Sequence, residues 1–489
     1  MHGIIQHLRS VMRPSKSLLA IAAALLTAVL AYFGTGLNPF WPLLWFAPVP
    51  VLVVATDLRP FHAFLVALLA WLGGELNQWT YFTQVLGIPL PIVILFFLIP
   101  AALFGLGVLF TRSFLLRQSP ILATLAFPTY WVTWEYLSSV TSPHSTFGNL
   151  GYTQMACLPL IQVASITGIW ALSFVVFLFA GAVASLLSGA GKSSRRGALA
   201  LGVGVFLCAV IIFGEWRLSA KGTGQSITIT LIGKDVPMSA YLGPEEQALK
   251  LLAEYANEVS RVTPTGTDVV VLPEKIARVS ENSLPQIDAL FAAAARATQS
   301  TIDLGLVRRT NSGGYNSSRF YARDGKVIAN YDKHHLLPGV EPEKPGTQRV
   351  TLNQPTGRWG LQICKDMDFP QLSRQYAGDG TNLLLVPAWD FHFDRWLHAR
   401  MAVLRAVENG FALARSARNG LLTLADNRGR ILAEKPTIPD QFVSLSGKLA
   451  VTTERTFYSQ TGDWFAWLCA ATLVFLLGYR FLSGRRRIG

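Results

Sequence analysis

The stretch RWGLQICKDMDFPQLSRQ, residues 358–375, carries a strand-like apolar run into Cys364 and then directly into Lys365, Asp366 and Asp368, ahead of Pro370. A thiol in such a place is a nucleophile, a metal ligand or a small core residue. The setting recurs twice, because Glu274 follows VVVLP and Lys333 follows VIANYD. Strand-like segments lie at 226–232, 268–273, 302–309, 316–322, 326–331, 358–363, 382–387, 410–416 and 420–425, with amphipathic stretches at 244–262, 284–299 and 393–409. Many strand segments with helices between them predict a layered α/β domain, not a bundle.

That domain occupies only part of the chain. With 489 residues, 51% of them hydrophobic, the sequence is too apolar for an ordinary soluble enzyme and too long for one domain. Apolar runs near 17–34, 40–56, 61–80, 88–110, 119–138, 158–187, 198–216 and 464–482 approach the length of a membrane span, the second interrupted by Pro42, Pro48 and Pro50. The expected domains are therefore 1–216, a membrane domain of about seven helices; 217–463, globular; and 464–489, a closing span with a basic tail. Up to residue 216, Lys and Arg occur only at 9, 13, 16, 59, 112, 117, 192, 195 and 196, and Arg485–Arg487 follow the last run. Loops after alternate spans thus carry the cations, which predicts both termini inside and 217–463 outside. Much of the net charge of +13 is then topological, and no nucleic-acid partner is expected. SGAGKSS at 188–194 lacks the spacing of a phosphate loop and reads as a basic inside loop.

Cys157, Cys208 and Cys469 lie in or beside apolar runs, where a thiol is a small filler. Cys364 alone lies in 217–463, which leaves no disulfide framework and no Cys–Cys metal spacing there. His334, His335, His392 and His398 form no HExxH pattern, so neither metal nor cofactor is expected. Taken singly, Glu274 reads as a solvated loop carboxylate, Lys333 as surface and Cys364 as core. Their shared place at strand ends, where layered sheets gather binding groups, favours one site. A thiol must lose its proton to attack a carbonyl, a carboxylate accepts it, and an ammonium steadies the resulting oxyanion.

At these residues the sequence resembles the carbon–nitrogen hydrolase (nitrilase) superfamily, whose Glu–Lys–Cys set matches Glu274, Lys333 and Cys364. Over nearly its whole length it resembles the apolipoprotein N-acyltransferase family. GLNPFWPLLWFAPVPVL at 36–52, WEYLSS at 134–139 and GNLGYTQMACLPLIQVASITGIWALSF at 148–174 look like that family's membrane half. YNSSRFYARDGKVIANYDKHHLLPGVE at 315–341, PAWDFHFDRWLHARMAVLRAVENGFALARSARNG at 387–420 and TFYSQTGD at 456–463 look like its outer domain. The resemblance implies a multi-pass α-helical membrane domain plus an α-β-β-α sandwich on the periplasmic side of the bacterial inner membrane. It also implies ping-pong chemistry: Cys364, deprotonated by Glu274, takes an acyl chain from a phospholipid and passes it to the N-terminal amine of a diacylglyceryl-cysteine lipoprotein. Lys333 would steady both oxyanions, and Glu341 would hold Lys333 or relay a proton.

The sequence departs from the family pattern beside the site. Lys365-Asp366 stand where Tyr-Glu is common and Lys275 where Thr is usual, so up to two extra positive charges are expected there. Asp366 keeps the acid in kind. The segment PGVEP replaces the usual PFGEY, and TFGNLGY lacks the Pro-Trp expected before GY. These changes bear on donor head group and acceptor. Trp389, Phe391 and Phe393 fit an acyl pocket or a plain aromatic core, and Glu135 in WEY is structural or substrate-facing. Asn316-Ser317-Ser318 formally fits a glycosylation sequon. Two other functions fit the same triad or fold: an amidase in which water resolves the thioester, and a non-catalytic lipid- or lipoprotein-binding homologue.

Overall fold

The computed structural model describes residues 15–220, 224–311, 313–452 and 454–485. The basic residues Arg9, Arg13, Arg486 and Arg487 invoked for orientation lie outside these. Contacts divide the chain into two compact units: Met1–Tyr136, Trp170–Val210 and Phe465–Gly489 in one, Leu137–Ile169 and Ile211–Trp464 in the other.

The first unit is helical, with α1 (Lys16–Gly34), α2 (Pro60–Glu75), α3 (Leu90–Leu115), α4 (Pro120–Thr141), α5 (Trp170–Leu187) and the start of α6 (Ser193–Ser219). Among the described residues, five helices are long and apolar enough to cross a membrane: α1, α3, α5, α6 and the closing helix Trp464–Ser483. The run expected at 40–56 is broken into Pro42–Phe46 and Val49–Val54, because proline cannot donate inside a helix. Helix α2 has 16 residues, roughly 24 Å at the α-helical rise, short of a bilayer core. Aromatic packing ties this unit together: Trp71 stacks on Phe104 at 4.2 Å, and Phe127 meets Phe177 at 4.8 Å.

The run expected at 158–187 is not one span. Helix α5 begins at Trp170, while Leu158–Ile161 and Ala164–Thr167 are single turns of the second unit. Gly168 at φ +67 ends the second turn, and the Ile169 N–H donates to Glu408 Oε1 at 2.8 Å. Segment 137–169 thus leaves the 1–216 block expected from hydropathy, because polar groups such as Gln162, bonded to the Arg428 carbonyl at 2.8 Å, tie it to the globular unit.

The globular unit holds two sheets. The first runs β13-β1-β2-β4-β5-β6, with β3 beside β4, from β1 (Gln225–Lys234), β2 (Val269–Val271), β3 (Arg278–Ser280), β4 (Thr301–Thr310), β5 (Gly313–Tyr321), β6 (Val327–Asp332) and β13 (Phe442–Val451). The second runs β12-β11-β10-β9-β8-β7, from β7 (Thr351–Gln354), β8 (Gly357–Leu361), β9 (Leu383–Trp389), β10 (Ala412–Arg418), β11 (Leu421–Ala425) and β12 (Ile431–Pro436). Apolar side chains from both sheets, among them Ile229, Val271, Leu361, Leu385 and Ala414, share one buried core. Helices α7 (Glu245–Val262) and α8 (Leu284–Thr298) bury Leu252, Val259, Phe291 and Ala295 in a second core with first-sheet residues. Helices α9 (Pro370–Gly378) and α10 (Arg395–Asn409) follow β8 and β9. The result is the expected α-β-β-α sandwich. Strands β3, β7, β12 and β13 and helix α9 were not legible in the hydropathy pattern.

Strand direction positions the site. β2 is parallel to β4, β4 antiparallel to β5 and β5 antiparallel to β6, so β2, β4 and β6 all point one way. β8, β9 and β10 are mutually parallel. The Glu274 N–H donates to the Ala388 carbonyl at 3.3 Å, joining the carboxyl ends of β2 and β9. Gly305 permits a close approach there, since a Cβ on it would lie 2.1 Å from the Pro273 carbonyl oxygen and 2.8 Å from Glu274 Cα. Overpacking of this kind costs about 1–3 kcal/mol. Gly305→Ala is therefore expected to lower the thermal midpoint of the detergent-solubilised protein by several degrees, and an unchanged midpoint would show that the Glu274 turn has room to move.

Candidate active site

Three strand ends deliver the three side chains. Glu274 comes three residues after β2, Lys333 immediately after β6, and Cys364 three residues after β8, opening a tight turn over Cys364–Asp368. Lys333 Nζ donates to Glu274 Oε1 at 2.7 Å and to Glu341 Oε2 at 2.9 Å, and its side chain is 3% exposed. Burial alone would push this ammonium toward neutrality. The Glu274 and Glu341 carboxylates outweigh it and hold the Lys333 pKa well above the usual lysine range.

The carboxylates are in turn shared out. Asn316, fully buried in β5, donates its amide to Glu274 Oε1 at 2.6 Å and to Glu341 Oε1 at 3.0 Å. Glu341 also accepts from the Leu337 N–H at 2.7 Å and from Lys275 Nζ at 2.8 Å. Burial would raise its pKa, but Lys333 and Lys275 bring it down to about 2. The two ammoniums favour the anionic form of Glu341, whose carboxylate lies against Lys333.

Cys364 sits at φ +43, a left-handed backbone that costs a non-glycine residue of order 1–3 kcal/mol. Its thiol donates to the Trp389 carbonyl at 3.5 Å. Burial and the Glu274 carboxylate push the thiol pKa well above its ordinary value, with Lys333 opposing them. These influences favour the protonated thiol, which would have to give up its proton to act as a nucleophile. Asp366, two residues on, has no exposed surface and accepts from Tyr331 Oη at 2.7 Å, the His335 N–H at 2.9 Å and the Ile363 N–H at 3.2 Å. It ties the cysteine turn to the segment following Lys333, and the His335 ring stacks on Phe369 at 3.5 Å.

The two unexpected lysines do not add the free charge anticipated from sequence. Lys275 Nζ meets Glu343 Oε2 at 3.0 Å besides Glu341, and Lys365 Nζ meets Asp368 Oδ2 at 3.2 Å and His144 Nδ1 at 3.4 Å. Each cation brings its own carboxylate.

Trp389 ends β9 half-buried, with the Arg418 guanidinium 4.0 Å from its ring centroid and Tyr241 edge-on at 5.4 Å. Phe391 is half-buried next to Asp390, which the buried Arg415 clasps with two hydrogen bonds. Glu135 lies in the other unit, in α4, accepting from Trp131 Nε1 at 3.1 Å and Ser173 Oγ at 3.1 Å. Asn316, which fits a sequon only formally, is fully buried, and its amide serves the carboxylates. Asn316 and Glu343 were missed as site residues. Asn316 carried one usable signal, lying in the strand directly before the one that ends at Lys333.

The sequence matches the Carbon-nitrogen hydrolase family over residues 236–443 and the Apolipoprotein N-acyltransferase N-terminal domain over residues 15–182. The apolipoprotein N-acyltransferase of Geobacter metallireducens is 27% identical over 504 residues, covering 93% of each chain. That of Haemophilus influenzae is 25% identical over 516 residues, covering 95% of each. A solved carbon-nitrogen hydrolase from Helicobacter pylori, 19% identical, overlays 46% of this chain and 89% of its own with a TM-score of 0.39.

The raised thiol predicts a pH profile. Iodoacetamide alkylation of Cys364, followed by peptide mass spectrometry, is expected to accelerate steadily between about pH 7 and about pH 9. A plateau below about pH 8 would mean that Lys333 outweighs burial and Glu274.

Proposed function

We propose that this chain, which belongs to the apolipoprotein N-acyltransferase family of the carbon–nitrogen hydrolase superfamily, moves an acyl chain from a phospholipid to the N-terminal amine of a diacylglyceryl-cysteine lipoprotein. It is a multi-pass membrane acyltransferase. The active site would face the periplasm from the inner membrane, as the placement of Lys and Arg between the apolar runs favours. One observation carries the reading: Lys333, bonded to Glu274 in a buried site beside Cys364, occurs in a chain whose N-terminal part matches the acyltransferase family's membrane domain.

In this reading the Cys364 proton passes to Glu274 as sulfur attacks the ester carbonyl of the phospholipid. The C=O electrons move to oxygen, and the Lys333 ammonium offsets that charge. Collapse breaks the ester C–O bond, the departing alkoxide takes the proton back from Glu274, and a lysophospholipid leaves behind a Cys364 thioester. The lipoprotein amine then attacks the thioester and loses a proton to Glu274. A second tetrahedral oxyanion forms, and its collapse expels the thiolate, which recovers the proton and releases the amide. Lys333 cannot serve as the base, because two carboxylates keep it charged. Lateral entry from the bilayer suits two acylated substrates, which distinguishes this reading from a soluble-amide hydrolase.

Intact-mass measurement of the purified protein with phospholipid is expected to show one acyl adduct, absent in Cys364→Ala and formed at least about 100-fold more slowly in Glu274→Gln. A diacylglyceryl-cysteine lipopeptide with a free amine should discharge it, and the N-acetylated lipopeptide should not. Rapid discharge by water alone would point to the hydrolase, and no adduct at all to a binding protein. In cells depleted of their own enzyme, the gene is expected to restore triacylated lipoprotein.

A further inference from the structure

We propose that Lys275 and Glu343 form a charge-neutral brace, in which Lys275 is a positioning residue that holds Glu341 against Lys333 and so keeps Glu274 available as the proton acceptor. The inference deepens the acyl-transfer reading and rests on it for the role of Glu274 alone.

Lys275 adopts φ +50, a left-handed conformation unusual for a long side chain. The peptide unit that follows this torsion is pinned through both its carbonyl and its N–H. The Lys275 carbonyl accepts from Nη1 of the buried Arg418 at 3.0 Å, and the Ile276 N–H donates to the Gly305 carbonyl at 3.0 Å. At the far end, the ammonium lies 2.8 Å from Glu341 Oε1 and 3.0 Å from Glu343 Oε2, all three side chains being at most 7% exposed. A strained residue held this firmly, with its charge buried, is a built feature.

The geometry of Glu341 shows what the brace does. One oxygen takes Lys275 and Asn316, while the other takes Lys333 and the Leu337 N–H. Every direction around the carboxylate is occupied by a donor, and each ammonium has its own oxygen. Without Lys275, Glu343 would lose its bonded cation and Glu341 one of its two ammoniums, and a carboxylate of this buried group would take up a proton to relieve the repulsion. Glu343 is what makes Lys275 tolerable. Glu274, Glu341 and Lys333 sum to a charge of −1, and adding Lys275 and Glu343 leaves that sum at −1. The pair therefore changes how Glu341 is held without changing the net charge around the thiol.

The test measures two pH profiles in wild type, Lys275→Thr, Glu343→Gln and the double variant: Cys364 alkylation by iodoacetamide and acyl transfer to lipopeptide. Lys275→Thr is expected to slow alkylation at about pH 8 roughly 10-fold and to move the acid limb of transfer upward by about one pH unit. The double variant restores the charge sum of −1 and should return alkylation to within about 3-fold of wild type, but Glu341 stays unheld, so the acid limb of transfer should remain raised. Wild-type profiles in Lys275→Thr, or a double variant that matches wild type in both profiles, would overturn the brace. If Lys275→Thr gives no monodisperse protein, Glu343→Gln decides: faster alkylation and a lowered acid limb are expected, and unchanged profiles refute it. Alkylation needs no acyl donor, so a failure of the transferase reading appears only in the transfer arm.

Discussion

Ions removed from water must find their counter-charges at once, and the ammonium of Lys333 does so by bridging Glu274 and Glu341 at 2.7 and 2.9 Å. Breaking one side of such a buried pair costs about 3–5 kcal/mol, because the remaining charge is stranded. Much around the site follows from this constraint. Asn316 has to lie fully buried between the two carboxylates, and the segment after β6 has to fold back so that Glu341 and the Leu337 N–H reach each other. The return is clamped at Gly346, whose N–H donates to the Lys333 carbonyl at 2.8 Å. A carboxylate held this way is oriented in advance, which is the kind of pre-organisation from which electrostatic catalysis gains most.

The sandwich makes that arrangement possible at low conformational cost. Parallel strands in each sheet end on one side, and the Glu274 N–H to Ala388 bond brings β2 and β9 together at that side. Side chains on short extensions from rigid strands lose little further entropy on being fixed. Cys364 pairs the same rigidity with a left-handed φ of +43, stabilised by Asp366 accepting from Ile363, His335 and Tyr331. The thiol lies on the Trp389 carbonyl, where burial and the Glu274 carboxylate favour its protonated form.

Local pattern served well wherever side chains alone set the structure. The strands ending before Glu274, Lys333 and Cys364 announced themselves by apolar runs with an ionisable residue after them. Pattern failed where pairing decides. β13, with Ser444, Ser446, Gly447 and Lys448, has weak strand character of its own, yet it pairs with β1 over ten registered positions. Hydropathy likewise joined 158–169 to the following helix, because Leu158, Leu160 and Ile161 are apolar whether they face lipid or a globular core.

By itself the sequence determined the division into apolar helical and mixed α/β parts and the three side chains offered at strand ends, because periodicity and residue type are local or composition-wide properties. The α-β-β-α class was implied by the resemblance of its motifs to a known family. Only the tertiary structure decided the charge balance. Lys275 and Lys365 looked like surplus cations in the chain, yet in space Lys275 meets Glu341 and Glu343, and Lys365 meets Asp368 and His144. Coulomb interactions depend on distance and burial, and the 68 positions between Lys275 and Glu343 reveal neither until the sheets bring the two within 3.0 Å.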